Sequence, residues 1–156
     1  MRILILYATE TGNAEMLADD LAASLSDENE VKVSNMSELK PEAIPVADLT
    51  LVITSTYGDG EVPTGARGFY EALGEEGQSF ANRPFAVFGL GDRQYEETFG
   101  QAARLMQDRL CKHGGLSLAD TDVHDASGSE FAEDQAMRWC EAVIVAAQRT
   151  LETEQR

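Results

Sequence analysis

The sequence predicts an α/β domain, a parallel sheet with helices on both faces. Three observations predict it. Five short apolar stretches are spaced along the 156 residues, and those opening at Arg2, Leu49 and Phe85 run without alternation of polar and apolar positions. Strands buried on both faces have that pattern. Between the stretches, apolar residues recur every three or four positions, the helical repeat. Strand and helix therefore alternate, which implies crossover connections between parallel strands.

The elements follow in order. Arg2-Ile3-Leu4-Ile5-Leu6-Tyr7-Ala8 is the first strand, and a turn at Thr9-Glu10-Thr11-Gly12 ends it. Leu17, Leu21 and Leu25, beside Ala14, Ala18 and Ala22, form the apolar stripe of a helix. Val31-Lys32-Val33 is a weaker strand candidate. Leu49–Thr54 and Phe85–Phe88 are buried strands. Phe69, Leu73 and Phe80 mark a shorter helical region between them. Phe99, Ala103, Met106 and Leu110 predict the next helix, Leu116-Ser117-Leu118-Ala119 the last strand, and Ala132, Ala136, Trp139, Val143 and Ala146 the final helix. With no repeat or linker, residues 1–156 read as a single domain.

Composition narrows the function. Twelve Lys+Arg against 28 Asp+Glu leave a formal charge of −16. That argues against nucleic acid and anionic membrane as partners and favours proteins with basic patches. The 43% apolar content argues against disorder. The run Ile3–Ala8 is far short of the roughly 18–20 residues that span a bilayer, and too short for a secretory signal core. Cys111 and Cys140 are far apart and outside any CxxC, so neither a disulfide framework nor a zinc site is expected, and the cytoplasm is the expected compartment.

In parallel sheets of this kind, ligands bind beyond the carboxyl ends of the strands. Three segments occupy such positions. Thr9-Glu10-Thr11-Gly12-Asn13-Ala14 leads into a helix, whose first N–H groups and dipole attract an anion. Thr9, Thr11 and Asn13 add uncharged donors, although the same residue types also serve as ordinary N-caps. No Lys follows Gly12, so this is not a nucleotide-hydrolysing loop. Phosphoryl transfer needs cationic stabilisation, and neutral donors beside Glu10 and Glu15 suit gripping a phosphate better than transferring it. The second segment, Ser55-Thr56-Tyr57-Gly58-Asp59-Gly60-Glu61-Val62-Pro63-Thr64-Gly65, joins glycines that let backbone approach a flat ligand to a ring that can stack on it. The third, Gly89-Leu90-Gly91-Asp92-Arg93-Gln94-Tyr95, again supplies glycines and then a Tyr; with Gln at 94 it is not a GxGxxG dinucleotide loop. Together these segments suit a flat aromatic ring system carrying one phosphate, with two tyrosines placed to sandwich an isoalloxazine.

These residues resemble the flavodoxin family, most closely the FMN domains of diflavin reductases such as sulfite reductase flavoprotein and cytochrome P450 reductase, and the MioC-like small flavodoxins. Residues 9–14 match the phosphate loop, 55–60 with Pro63 the first flavin loop, and 89–92 with Tyr95 the second. The resemblance implies a flavodoxin-like doubly wound five-stranded parallel sheet and bound FMN. It implies that Thr9, Glu10, Thr11, Gly12, Asn13 and Ala14 surround the phosphate. Ser55, Thr56, Tyr57, Gly58, Asp59, Gly60, Leu90, Gly91, Asp92, Tyr95 and Phe99 would surround the ring, with Tyr57 and Tyr95 covering its faces. Asp120 and Asp122, after the last strand, are expected near a third ring-side loop.

Three features depart from the pattern. Phe99 follows Tyr95 one residue later than is usual, Tyr57 stands where many free flavodoxins carry Trp, and no reductase domain follows. The expected function is therefore single-electron transfer by a monomer. A separate NAD(P)H-dependent reductase would supply the electrons and a protein would accept them, both with basic surfaces, and the chain would turn over no substrate of its own. The Gly58 carbonyl is placed to turn toward the ring and stabilise its one-electron-reduced state. Asp59, Glu61, Glu96 and Glu97 are expected to rim the docking face. The alternative is a non-redox regulatory or scaffolding domain that keeps the fold without flavin. His113 and His124 have no metal-ligand spacing and read as surface residues. Cys111, Cys140 and Trp139 read as core.

Overall fold

The computed structural model describes residues 1–8, 12–40, 43–56, 62–75, 80–95 and 97–154, without the side chains of Glu75 and Tyr95. Among the described residues, six strands and four α-helices run in the order β1 (Arg2–Ala8), α1 (Asn13–Leu25), β2 (Glu30–Asn35), β3 (Leu49–Ser55), α2 (Thr64–Glu75), β4 (Pro84–Gly91), α3 (Gln101–Lys112), β5 (Leu116–Ser117), β6 (Asp122–Asp125) and α4 (Ala132–Glu154). Every strand pairing is parallel. The sheet order is β2-β1-β3-β4, and β5 and β6 share the far edge of β4. Chain and sheet order thus reverse at β1: the first crossover runs outward to β2, the second back to β3.

Both faces of the sheet are covered, which accounts for the unalternating strands. In β1, Ile3, Ile5 and Tyr7 pack toward Leu17 and Leu21 of α1 and Trp139 and Val143 of α4. Leu4, Leu6 and Ala8 pack toward Phe69 and Leu73 of α2 and Met106 and Leu110 of α3. The register keeps this division across the sheet, with Ile5 beside Leu51 and Val52 beside Val87. Two aromatic contacts close the layers: Phe88 against Trp139 at 5.3 Å between centroids, and Phe80 edge-on to Phe85 at 5.7 Å. Pairs of this kind add about 0.5–1.5 kcal/mol beyond the area they bury. Edge strand β2 is only half covered, so Val31 and Val33 alternate with exposed Glu30 and Lys32.

Several expectations are corrected. Phe80 lies in the turn before β4, although its ring is fully buried there. Phe99 precedes α3 instead of lining it, because Gly100 takes a positive φ of 71° and breaks the chain direction. The last strand ends at Ser117, and a second begins at Asp122. The outer edge of β4 is therefore divided, with Phe85 paired to Ser117 and Phe88–Gly91 paired to Asp122–Asp125. Cys111 is exposed, while Cys140 is buried and its thiol pushed up to about 12 by burial, which leaves it unreactive. His113 is buried at the end of α3, and neither ring nitrogen has a partner. Burial, and then the charges of Arg109 and Lys112, lower its pKa below 6.5, so it is neutral in the fold.

This packing makes two positions sensitive. A Cβ at Gly100 would sit 2.8 Å from Val123 Cγ2 in a backbone conformation that L-residues avoid. Gly100→Ala should cost about 2–4 kcal/mol in chemical denaturation. At His113 the unfolded chain takes up a proton that the folded one refuses, so stability falls as pH drops through and below 6.5. His113→Leu should reduce the loss of Tm between about pH 7.5 and about pH 5.5, with a change of under about 1.5 kcal/mol at the upper pH.

Candidate functional site

The order reversal places the carboxyl ends of β1 and β3 where the crossovers depart to opposite sides, leaving a crevice between them. Beyond Ala8 the described chain resumes at Gly12, the N-cap of α1, with φ 93°. This backbone is open to glycine and strained for other residues, and a Cβ there would meet nothing within 4 Å. Gly12 O accepts the first helical bond from Met16 N–H at 3.0 Å. The N-cap is a glycine and has no side chain of its own to offer the first turn, which carries Glu15. Exposed Asn13 opens that turn; Ala14 is fully buried and offers only its backbone.

At the end of β3, Ser55 is buried and its Oγ has no partner. Thr56 N–H donates to Leu90 O at 2.9 Å, extending the β3–β4 ladder by one bond. Thr56 Oγ1 accepts from Ala102 N–H at 3.2 Å and so caps the first turn of α3. One residue therefore ties the start of the second loop to the helix that follows the third. At the end of β4, Leu90, Gly91 and Asp92 are half-buried. Asp92 Oδ1 accepts Gln94 N–H at 2.8 Å and opens the short 3-10 turn Arg93–Tyr95. The Arg93 guanidinium lies 4.6 Å from the centre of the Phe99 ring. A Cβ at Gly91 would meet Phe99 Cδ2 at 3.2 Å, so Phe99 backs that strand end.

A cleft of about 260 Å³ brings Asn13 of α1 together with Leu90 and Gly91 of β4 and with His124, Ala126, Ala132 and Glu133 from β6 and the start of α4. Two larger depressions, of about 340 and 520 Å³, lie beside Tyr7 and beside Met1 and touch none of the loop candidates. Thr9, Glu10, Thr11, Tyr57, Gly58, Asp59, Gly60, Glu61 and Glu96 lie outside the described residues, as does the Tyr95 side chain. Among the described candidates, Gly12, Asn13, Ala14, Ser55, Thr56, Leu90, Gly91, Asp92 and Phe99 all fall at this end of the sheet.

Asp125 was missed by the sequence reading, which looked to Asp120 and Asp122. Asp120 is exposed, and Asp122 opens β6 instead of following a strand. The short spacing Asp125-Ala126-Ser127 was the available signal, since an Asp that bonds the backbone two residues on makes a tight turn. His124 was also missed. It is half-buried on the cleft, and its Nδ1 is held 2.9 Å from Gln135 Oε1.

Comparison with known proteins decides the family. The flavodoxin family model matches residues 5–139. The chain belongs to the flavodoxin family. Among curated flavodoxin relatives, it is 34% identical over 137 residues to the sulfite reductase [NADPH] flavoprotein alpha-component of Bacillus subtilis; the match covers 84% of this chain and 22% of the relative. It is 34% identical over 155 residues to the inducible nitric oxide synthase of Rattus norvegicus, covering 97% and 13% respectively. The chain therefore spans about a fifth or less of these relatives. Among solved structures, a mutant form of a flavodoxin from Pseudomonas aeruginosa superposes with a TM-score of 0.84 at 25% identity, covering 95% of this chain and 99% of that one. A short-chain flavodoxin associated with a bacterial microcompartment gives 0.79 at 27% identity, covering 94% and 99%.

Flavodoxins bind FMN, and this chain is an FMN-binding electron-transfer domain of that type. Its described residues fit the cofactor. The first turn of α1, entered through Gly12 at positive φ, suits a phosphate, and the Ser55 hydroxyl is a buried polar group without a partner at the end of β3. Leu90 and Gly91 supply a backbone wall at the end of β4. FMN supplies a ring that takes up and releases electrons one at a time. In this chain the first turn of α1 and the Leu90–Gly91 backbone would hold it.

Thr56 tests that arrangement. Thr56→Val keeps the backbone bond to Leu90 and removes the cap on Ala102. It should lower stability by about 1 kcal/mol in urea denaturation and weaken FMN binding measurably in a fluorescence titration.

Proposed function

We propose that this protein carries single electrons through FMN from a separate NAD(P)H-dependent reductase to an acceptor protein, and that it works as a cytoplasmic monomer with no substrate turnover of its own. The observation that carries the reading is the order reversal at β1 with the cleft beside it, where Asn13 at the start of α1 meets Leu90 and Gly91 at the end of β4. A helix start of this kind favours a phosphate ester through its dipole and its first N–H groups. Among the described residues, no His, Cys, Asp or Glu group is arranged to hold a metal ion. Among them also, no helix is long and apolar enough to cross a membrane.

The relative from Bacillus subtilis carries NADPH in its name, which supports a reductase of that class as the electron source. Partner chemistry follows from charge. Exposed Glu97, Glu130, Glu133 and Asp134 lie in the segments after β4 and β6, on a chain of net charge −16. A basic partner is drawn to that end of the sheet, and the attraction is screened by salt. The same carboxylates disfavour added negative charge nearby, so the second electron should enter at a lower potential than the first.

The experiment loads the full chain with FMN and supplies NADPH, an NADPH-dependent flavoprotein reductase and a basic c-type cytochrome as acceptor probe. Cytochrome reduction should require all components, and its rate should fall several-fold between about 50 mM and about 500 mM salt. Failure of the apoprotein to take up FMN in equilibrium dialysis, or NADPH oxidation by the FMN-loaded chain alone, would overturn the reading.

A further inference from the structure

We propose that Asp125 is a positioning residue for the flavin. Its carboxylate holds the turn after β4 against the loop after β6 and so sets the ring-side wall of the pocket. This rests on the reading above that the ring lies against residues 90–95.

The geometry is specific. Asp125 Oδ1 accepts three hydrogen bonds: from Arg93 N–H at 3.0 Å, from Ser127 N–H at 3.0 Å and from Ser127 Oγ–H at 2.7 Å. Oδ2 lies 3.5 Å from Arg93 Nε. The neighbouring backbone adds a parallel tie, Ala126 N–H to Gly91 O at 2.8 Å. Arg93 N–H is the first amide of the 3-10 turn that carries the Tyr95 backbone, and such first amides have no partner within the turn. Asp125 supplies that partner from 32 residues away. From Arg93 the contact continues to Phe99, and from Phe99 back to Gly91, closing a ring of contacts around the end of β4. The Ser127 hydroxyl and then the Arg93 amide hold the carboxyl below its ordinary pKa, so it is ionised at neutral pH.

Asp125 acts through this turn, and the exposed ion pair with Arg93 adds little by itself. The decisive bonds all meet at one oxygen, which an asparagine can present equally well.

The test uses the full chain. FMN dissociation constants are measured by flavin fluorescence for the wild type, Asp125→Ala, Asp125→Asn and Ser127→Ala. Amide exchange at Arg93 is followed in the apoproteins. Asp125→Ala should weaken FMN by about tenfold or more and strip the Arg93 amide of protection. Asp125→Asn should stay within about threefold of wild type with that amide still protected, a rescue that a general loss of stability would not show. An alanine variant within about threefold of wild type overturns the proposal, as does an asparagine variant that loses as much as alanine. If Asp125→Ala does not fold, Ser127→Ala decides: weaker FMN binding with faster Arg93 exchange supports the latch, and no change in either overturns it. A wild type that takes up no FMN overturns the flavin reading itself, a result distinct from any difference among the variants.

Discussion

Everything at the functional end depends on β1 being hydrogen-bonded along both edges while its two neighbours are reached from opposite directions. Tyr7 is paired to Asn35 on one side and to Ile53 on the other. The strand has no free edge, and beyond exposed Arg2 no solvated face, so Ile3 to Ala8 are all buried. At Ala8 the chain must leave the sheet, and the crossovers on either side diverge. The gap between them follows from topology, and α1 starts at its rim. A binding crevice built this way needs few dedicated side chains.

The second requirement is that loops leaving separate strands keep a common shape. Three ties do this among the described residues. Thr56 links the end of β3 to the start of α3, Ala126 bonds the end of β4, and Asp125 holds the turn that follows it. Each uses a polar group that would otherwise be left at a strand or helix terminus, where the regular ladder can no longer satisfy it. The same bonds that complete the backbone accounting therefore align the loops.

Elements were legible where burial was two-sided or the stripe was long. Ile3–Ala8, the Leu49 strand and the Leu17-Leu21-Leu25 helix appear with nearly the expected bounds, because local pattern and tertiary environment agree there. Phe80, Phe99 and His113 misled for one reason: each belongs to a turn or helix end whose place in the core is set by contacts that helical or strand spacing does not describe. Phe80 meets Phe85 across a turn, and Phe99 is held under Arg93. His113 is buried despite its polarity because the chain around it is fixed by Phe80 N–H bonding to its carbonyl. Periodicity carries no information about such positions.

The sequence by itself determined the alternation of strand and helix, the burial of the central strands and the glycine-containing composition of the strand ends, since all three are set by side-chain type and short-range spacing. It also carried the flavodoxin resemblance, which the family match and the superposed structures bear out. Only the tertiary structure decided that the last strand is split into two pieces on one edge of β4 and that Asp125 reaches Arg93. Both depend on hydrogen bonds between residues about thirty positions apart, whose partners are chosen by the packing of the sheet and not by their neighbours in the chain.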